Sequence, residues 1–248
     1  MQKARSKPAD THVRSTVPVR NGSSEPRRRL APEDREHQIV QAAISFFARR
    51  GFDAGTRELA QELGVTQPLL YRYFPTKEAL VDRVYDEVFV SRWNPEWEEW
   101  LADRSAPLAD RLKRYFKDYA RFVLRSEWVR IFIYAGLSRR GINQKYLSRL
   151  RERHLMVIAR ELRLEYDIPE PVDASEEEDE FELVWAMHSS VFYIGVRKWI
   201  YEQPTPKDLE RHIDMRVDAF TLGAPPVLIA HRRLSRNNEP KKRLQLRA

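Results

Sequence analysis

Positions 56–74, TRELAQELGVTQPLLYRYF, leave few folds open to the chain that contains them. Leu59, Ala60 and Leu63 recur at helical spacing, Gly64 breaks the pattern, and Thr66 is a good N-cap for a helix that carries Pro68 in its first turn. Two short helices joined by a tight turn follow, and a unit this small needs other helices to cover its apolar sides. The neighbouring sequence supplies them. A helix is predicted from Pro32, favoured in a first turn and followed by Glu33 and Asp34, to Gly51, with a stripe at Ile39, Ala43, Phe46 and Phe47. Pro75 stops the second short helix. Thr76 caps a further one, striped by Leu80, Val81, Val84, Tyr85 and Val88, to about Val90.

Beyond residue 93, which begins a stretch holding all six tryptophans, helices are predicted over 107–125, 127–138, 143–166, 178–201 and 206–222. The acidic run Glu176 to Glu180 reads as a solvated loop leading into one of them. Period-2 strand patterning is almost lacking, so the expected class is all-α. The expected division is a basic disordered arm at 1–31, a helix-turn-helix domain at 32–76, a larger helical domain at 77–230 and a basic disordered tail at 231–248.

Charge is distributed unevenly. Residues 1–30 hold eight basic and two acidic side chains and residues 231–248 hold seven and one, so each end carries +6 while the whole chain carries +7. Basic ends of this kind favour anionic partners through counterion release, or are plain solvated tails. Having no cysteine excludes disulfides, thiolate zinc sites and cysteine nucleophiles. No HExxH or phosphate-binding glycine loop occurs, and six scattered histidines lack ligand spacing. The expectation is therefore no enzyme, no metal and no cofactor. With no apolar run of about 18 residues, the chain is expected to be soluble and cytoplasmic.

In a helix-turn-helix unit the first helix braces the second, whose N-terminal end enters the DNA major groove. Leu59, Ala60, Val65, Leu70 and Phe74 would form its core, leaving Gln67, Leu69, Tyr71, Arg72 and Tyr73 for base edges and phosphates. A helical hairpin with a purely structural role has similar spacing.

The longer stretch FFARRGFDAGTRELAQELGVTQPLLYRYFPTKEALVDRVYD resembles the N-terminal DNA-binding domain of TetR-family transcriptional regulators, over about residues 35–88. The resemblance implies a two-domain helical homodimer that binds double-stranded DNA at a palindromic operator. It further implies a larger domain that binds a small-molecule effector, usually to release a repressor. By the same resemblance Thr56 and Arg57 would meet phosphates, as would Tyr71 and Tyr73. Thr66, Gln67, Pro68, Leu69 and Arg72 complete the recognition set, with Gln67 and Arg72 able to reach bases. Lys77, at the next helix start, would clamp another phosphate. The Gly55-Thr56-Arg57 turn is one residue shorter than the common form and Pro68-Leu69 replaces a small or hydroxyl pair, so base identity does not transfer. Leu69 can meet a thymine methyl or pack inward. Residues 31–88 carry seven basic and ten acidic groups, a balance of -3, so Arg28 and Arg29 of the N-terminal arm are expected to add phosphate or minor-groove contacts.

In the larger domain, the predicted helix 178–201 is apolar on two sides, which suggests burial against its own domain and something more. Met187, Val191, Ile194 and Gly195, with Ile213, Val217 and Phe220 of the last helix, are the expected dimer interface, or they close a monomer core. Tyr119, Arg121, Phe122, Trp128, Phe132, His154, Trp185 and His188 are the expected ligand-pocket residues, for a hydrophobic or aromatic effector. For each residue taken singly, core packing is the stronger explanation. Two other readings stand beside the regulator: an architectural DNA-binding protein driven by its basic tails, and an all-α small-molecule-binding protein without DNA function.

Overall fold

A computed structural model describes residues 31–138 and 141–245, with side chains as far as Leu234 except Ile142. Arg28 and Arg29 lie outside the described residues. No strand occurs among those described; the chain is helical from Pro32 onward.

Helix α1, Pro32–Arg50, starts on proline with Glu33 and Asp34 in its first turn and buries Ile39, Val40, Ala43, Phe46 and Phe47. Gly51 ends it at φ 76°, a left-handed conformation natural to glycine, and donates its N–H to the Phe47 carbonyl. Helix α2 is Thr56–Glu62 and α3 is Gln67–Tyr73, separated by Gly64 at φ 65°. Thr66 caps α3 by accepting from Leu69 N at 3.3 Å, and Thr76 caps α4, Lys77–Tyr85, by accepting from Ala79 N at 3.0 Å. Both caps fall where the sequence placed them.

Helix α4 lies along α1 and continues through a π-helical turn, Asp86–Val90, that buries Phe89 completely. Phe89 meets Trp128, Phe132 and Tyr146 at ring-centroid distances of 5.0, 6.2 and 5.7 Å. One continuous core therefore joins the helices of the N-terminal head to the larger region. A short helix α5, Glu96–Ala102, was not expected from the sequence. Three glutamates favour its N-terminal end, and Trp97 fixes it by donating from Nε1 to Asp118 Oδ2 at 2.8 Å.

Helices α6, Leu108–Val123, and α7, Ser126–Leu137, meet at a sharp corner, and α7 packs across α1. Helix α8, Ile142–Leu150, passes through a π-helical turn at Arg151–Leu155 into α9, Met156–Glu165. Between α6 and α9 lies a buried ionic knot. Arg111, on α6, donates to Glu161 Oε2 at 3.0 Å and to the Leu101 carbonyl at 2.6 Å, while Arg104 grips both oxygens of Glu161 at 2.9 Å.

Helix α10 runs Ala174–Trp199, four residues longer at its start than expected, because Asp173 caps it by accepting from Glu176 N at 2.9 Å. The acidic run is therefore helix rather than solvated loop, and Glu176 and Glu180 are buried. Their partner comes from a distant segment. Arg232 donates to Glu180 and to the Pro169 carbonyl, and Arg163 donates to Glu180 Oε1 at 2.6 Å.

The last helix, α11, spans Leu209–Gln245, so the expected stop at 222 and the expected disorder from 231 are both corrected. Pro225 and Pro226 remove two helical N–H donors, which argued for a stop. Burial of Leu228 and the seating of Arg232 on α10 hold the helix beyond them. On the other side, Lys113, Lys117 and Arg121 of α6 pair with Asp218, Asp214 and Glu210 of α11, an antiparallel ladder that sets the register of the two helices.

Gly195 is where α10 crosses the α6–α7 corner. A Cβ built there would stand 2.8 Å from Val129 Cγ2 and 2.9 Å from Leu124 Cδ2. Gly195→Ala is expected to destabilise the fold by about 1–3 kcal/mol through overpacking. Urea unfolding checks this, and an unchanged midpoint would contradict it.

Candidate nucleic-acid interface

The turn at Gly64 sets α3 across α2, with Leu59, Ala60 and Leu70 buried and Leu63 and Val65 partly covered beside them. Phe74 closes the end of this small core. Thr56, first residue of α2, is nearly covered, and its hydroxyl is a meeting point. Gln67 Nε2 donates to it at 3.2 Å, and the Tyr71 hydroxyl shares a hydrogen bond with it at 3.0 Å. Sequence reasoning gave these three residues separate phosphate or base contacts. The fold ties them into one hydrogen-bonded set centred on Thr56.

Arg57, Pro68 and Arg72 are exposed, Leu69, Tyr73 and Lys77 are half-buried, and the Thr66 hydroxyl is engaged in capping. Tyr73 packs against the core, so only part of its ring faces outward. Arg49 of α1 pairs with Glu62 of α2 at the surface. The helix thus carries an amide, a phenol and a guanidinium that belongs to no ion pair among the described residues, the group types that can meet base edges and phosphates.

Of the expected pocket residues, Tyr119, Phe122, Trp128, Phe132, His154 and His188 belong to one buried aromatic cluster, together with Trp97, Tyr115 and Tyr146. The Tyr119 hydroxyl lies 2.6 Å from His188 Nε2 and 3.1 Å from the Tyr146 hydroxyl, and Tyr115 lies 2.9 Å from His154 Nδ1. Burial raises all three phenols well above their usual range, so they stay protonated. Burial also lowers His154 to about 3 and His188 to about 4. Tyr146 escaped the sequence reading, since nothing in its helical period marks a partner 27 residues away. Arg121 does not join the cluster: it sits on the surface against Glu210. Trp185 is half-buried at the edge, beside Phe181 and His188.

The expected dimer set splits. Val191, Ile213 and Val217 are wholly covered by their own chain, Ile194 is buried with them, and Gly195 faces Leu124 and Val129. Two apolar faces made α10 ambiguous, and helical period alone did not tell which one points inward. The face left open on α10 and α11 runs over Leu183, Ala186, Met187, Ala219, Phe220 and Val227, which line an apolar groove of about 420 Å³. Met187 and Phe220 are the two expected residues on it.

No group of acidic or histidine side chains among the described residues could hold a metal ion, and no described helix is long and apolar enough to cross a membrane.

Residues 39–84 match the family model of bacterial regulatory proteins of the tetR family. The HTH-type transcriptional regulator LuxR of Vibrio harveyi is 41% identical over 64 residues, covering 25% of this chain and 31% of that protein. The tetracycline repressor protein class A from transposon 1721 of Escherichia coli is 32% identical over 91 residues, 34% of this chain and 42% of that one. The aligned part thus spans less than half the length of these relatives. Among solved structures, a TetR-like transcriptional regulator from Rhodococcus sp. RHA1 superposes with TM-score 0.55 at 20% identity, over 79% of this chain and all of that one. A putative transcriptional regulator from Pseudomonas aeruginosa PAO1 superposes with TM-score 0.56 at 21% identity, over 81% and 96%. These structures share the fold. Residues 39–84 thus match the tetR family of bacterial regulatory proteins, and the described helices share the fold of these solved structures.

Proposed function

We propose that the protein is a homodimeric, sequence-specific DNA-binding transcriptional regulator, a repressor whose operator affinity falls when a small effector occupies its larger domain. The observation that carries this reading is the Thr56–Gln67–Tyr71 set beside the exposed Arg72, on the helix that the matched domain presents. Two heads require two half-sites, hence a palindromic operator. The open α10–α11 groove supports an isologous contact, in which the same apolar face of each copy covers the other. The described head carries more acid than base, so the arm with Arg28 and Arg29 is assigned the supplementary phosphate contacts.

Release requires that the effector bind the DNA-free form more tightly than the DNA-bound one. The route runs through α7, which packs on α1 and places the Tyr134 ring 3.2 Å from where a Cβ on Gly51 would stand.

Arg72→Ala is expected to weaken operator binding by about 1–3 kcal/mol while leaving unfolding unchanged, because Arg72 is exposed and belongs to no ion pair among the described residues. Fluorescence anisotropy with labelled operator duplex measures it. Wild-type affinity in the variant would remove α3 from the reading surface.

A further inference from the structure

At the corner between α6 and α7, Ala120 of α6, Leu124 of the corner and Ile194 and Gly195 of α10 floor a cleft of about 300 Å³. Its lip is cationic. Arg121, Arg125, Lys198 and Lys207 border it, and none of its lining residues is acidic. Two of the four cations are already engaged, Arg121 by Glu210 at 2.6 Å and Lys198 by the Trp199 ring at 4.5 Å. Arg125 and Lys207 have no acidic partner among the described residues.

Like charges held beside an apolar wall raise the local positive potential and leave a site that a neutral molecule does not satisfy. A guanidinium accepts a carboxylate in a two-bond fork, and an ammonium adds a point charge. The floor is made of small and aliphatic side chains, and Gly195 cannot gain a side chain without striking Leu124 and Val129. We propose that this cleft binds a small aromatic or alicyclic carboxylic acid, its carboxylate on Arg125 and Lys207 and its ring on the apolar floor.

The position gives binding a consequence, which rests on the regulator reading. Arg125 also lines a neighbouring cleft against Gln41, Ile44 and Ser45 of α1. An acid that draws Arg125 toward α10 takes it from α1, so the same side chain serves either the ligand or the head.

The test is calorimetric titration of the full chain, without DNA, using 2-naphthoate and its neutral counterpart 2-naphthylmethanol. Wild-type protein is expected to bind the acid at least about tenfold more tightly than the alcohol, the ratio expected of a hydrogen bond to a charged group. The double variant Arg125→Gln/Lys207→Gln should lose that preference, and Arg125→Lys/Lys207→Arg should keep most of it. Equal affinity for acid and alcohol, an unchanged preference in the glutamine variant, or no binding of 2-naphthoate at millimolar concentration would each overturn the site. Both replaced side chains are exposed, so the variants are expected to fold, and their thermal unfolding verifies it. Failure of the protein to bind any duplex would refute the regulator reading and leave this result untouched. Binding of 2-naphthoate with no effect on operator affinity would refute the coupling through Arg125 alone.

Discussion

Bringing the protein from pH 7.5 to pH 5 is expected to remove about 4 kcal/mol of stability, roughly 2 from each of two buried histidines. His154 and His188 sit in the aromatic cluster, each with one nitrogen on a tyrosine hydroxyl and the other without a hydrogen-bond partner among the described residues. Charging either ring would bury an unsatisfied N–H in an apolar setting, which is why burial lowers the folded values to about 3 and about 4. An unfolded chain protonates the same rings near pH 6.5. Their contribution is therefore fully present above that pH. As pH falls below it the unfolded state takes up protons that the folded state refuses, and the contribution drains away until the folded rings titrate. Urea unfolding at the two pH values reads the difference directly. His154→Phe should lose stability at pH 7.5 by stranding the Tyr115 hydroxyl, His188→Phe should lose less because Tyr119 keeps the Tyr146 hydroxyl, and each should show a smaller pH dependence than wild type. Equal stability at pH 7.5 and 5 would mean that the rings are not held neutral.

Glu161→Ala is expected to destabilise by about 3–5 kcal/mol, because it strands a buried cation. The side chain of Arg111 is 3% exposed and that of Glu161 is 1% exposed, so without the carboxylate Arg111 keeps the Leu101 carbonyl and only the more distant, partly exposed Glu165 carboxylate at 3.6 Å. Arg104, on the same carboxylate, is 59% exposed and adds little. Its hydrogen bonds and those of Arg111 nevertheless help hold Glu161 at about 2, so the knot stays intact as pH falls to the ordinary carboxylate range and weakens only below it. Replacing both partners with apolar residues of similar volume, Arg111→Met with Glu161→Leu, should recover most of the loss. A single Glu161→Ala loss below about 1 kcal/mol would show that water reaches Arg111.

Local and long-range features of the fold differ in how far the sequence shows them. Helices α1 to α4 could be placed from the sequence because their boundaries are local events: Pro32 and two acids at a start, Gly51 and Gly64 at positive φ, Thr66 and Thr76 as caps. The exposed helix α3 followed from the same signals. The hydrogen bonds that gather Gln67 and Tyr71 onto Thr56 did not, since they depend on how α3 crosses α2. Farther along, the failures share one cause. Glu176 and Glu180 look like a solvated acidic run until Arg232, 52 residues beyond Glu180, arrives to bury them, and α11 looks finished at two prolines until that same arginine anchors it. Helix α10 posed the opposite difficulty. With apolar residues on two faces, its period allowed Val191 and Gly195 to look outward, whereas Val191 is wholly covered and Gly195 faces Leu124 and Val129 at the α6–α7 corner. The ionic knot at Glu161 joins side chains 50 and 57 residues apart, beyond any pattern in the sequence.

The most direct test of the central claim is binding of the purified protein to duplex from its own upstream intergenic region, against a scrambled duplex of equal length and composition, across a salt series. The account predicts preference for the upstream duplex with two protomers per site, a preference that survives as salt weakens both affinities together. Equal affinity for the two duplexes, falling steeply with salt, or no binding to either, would contradict it.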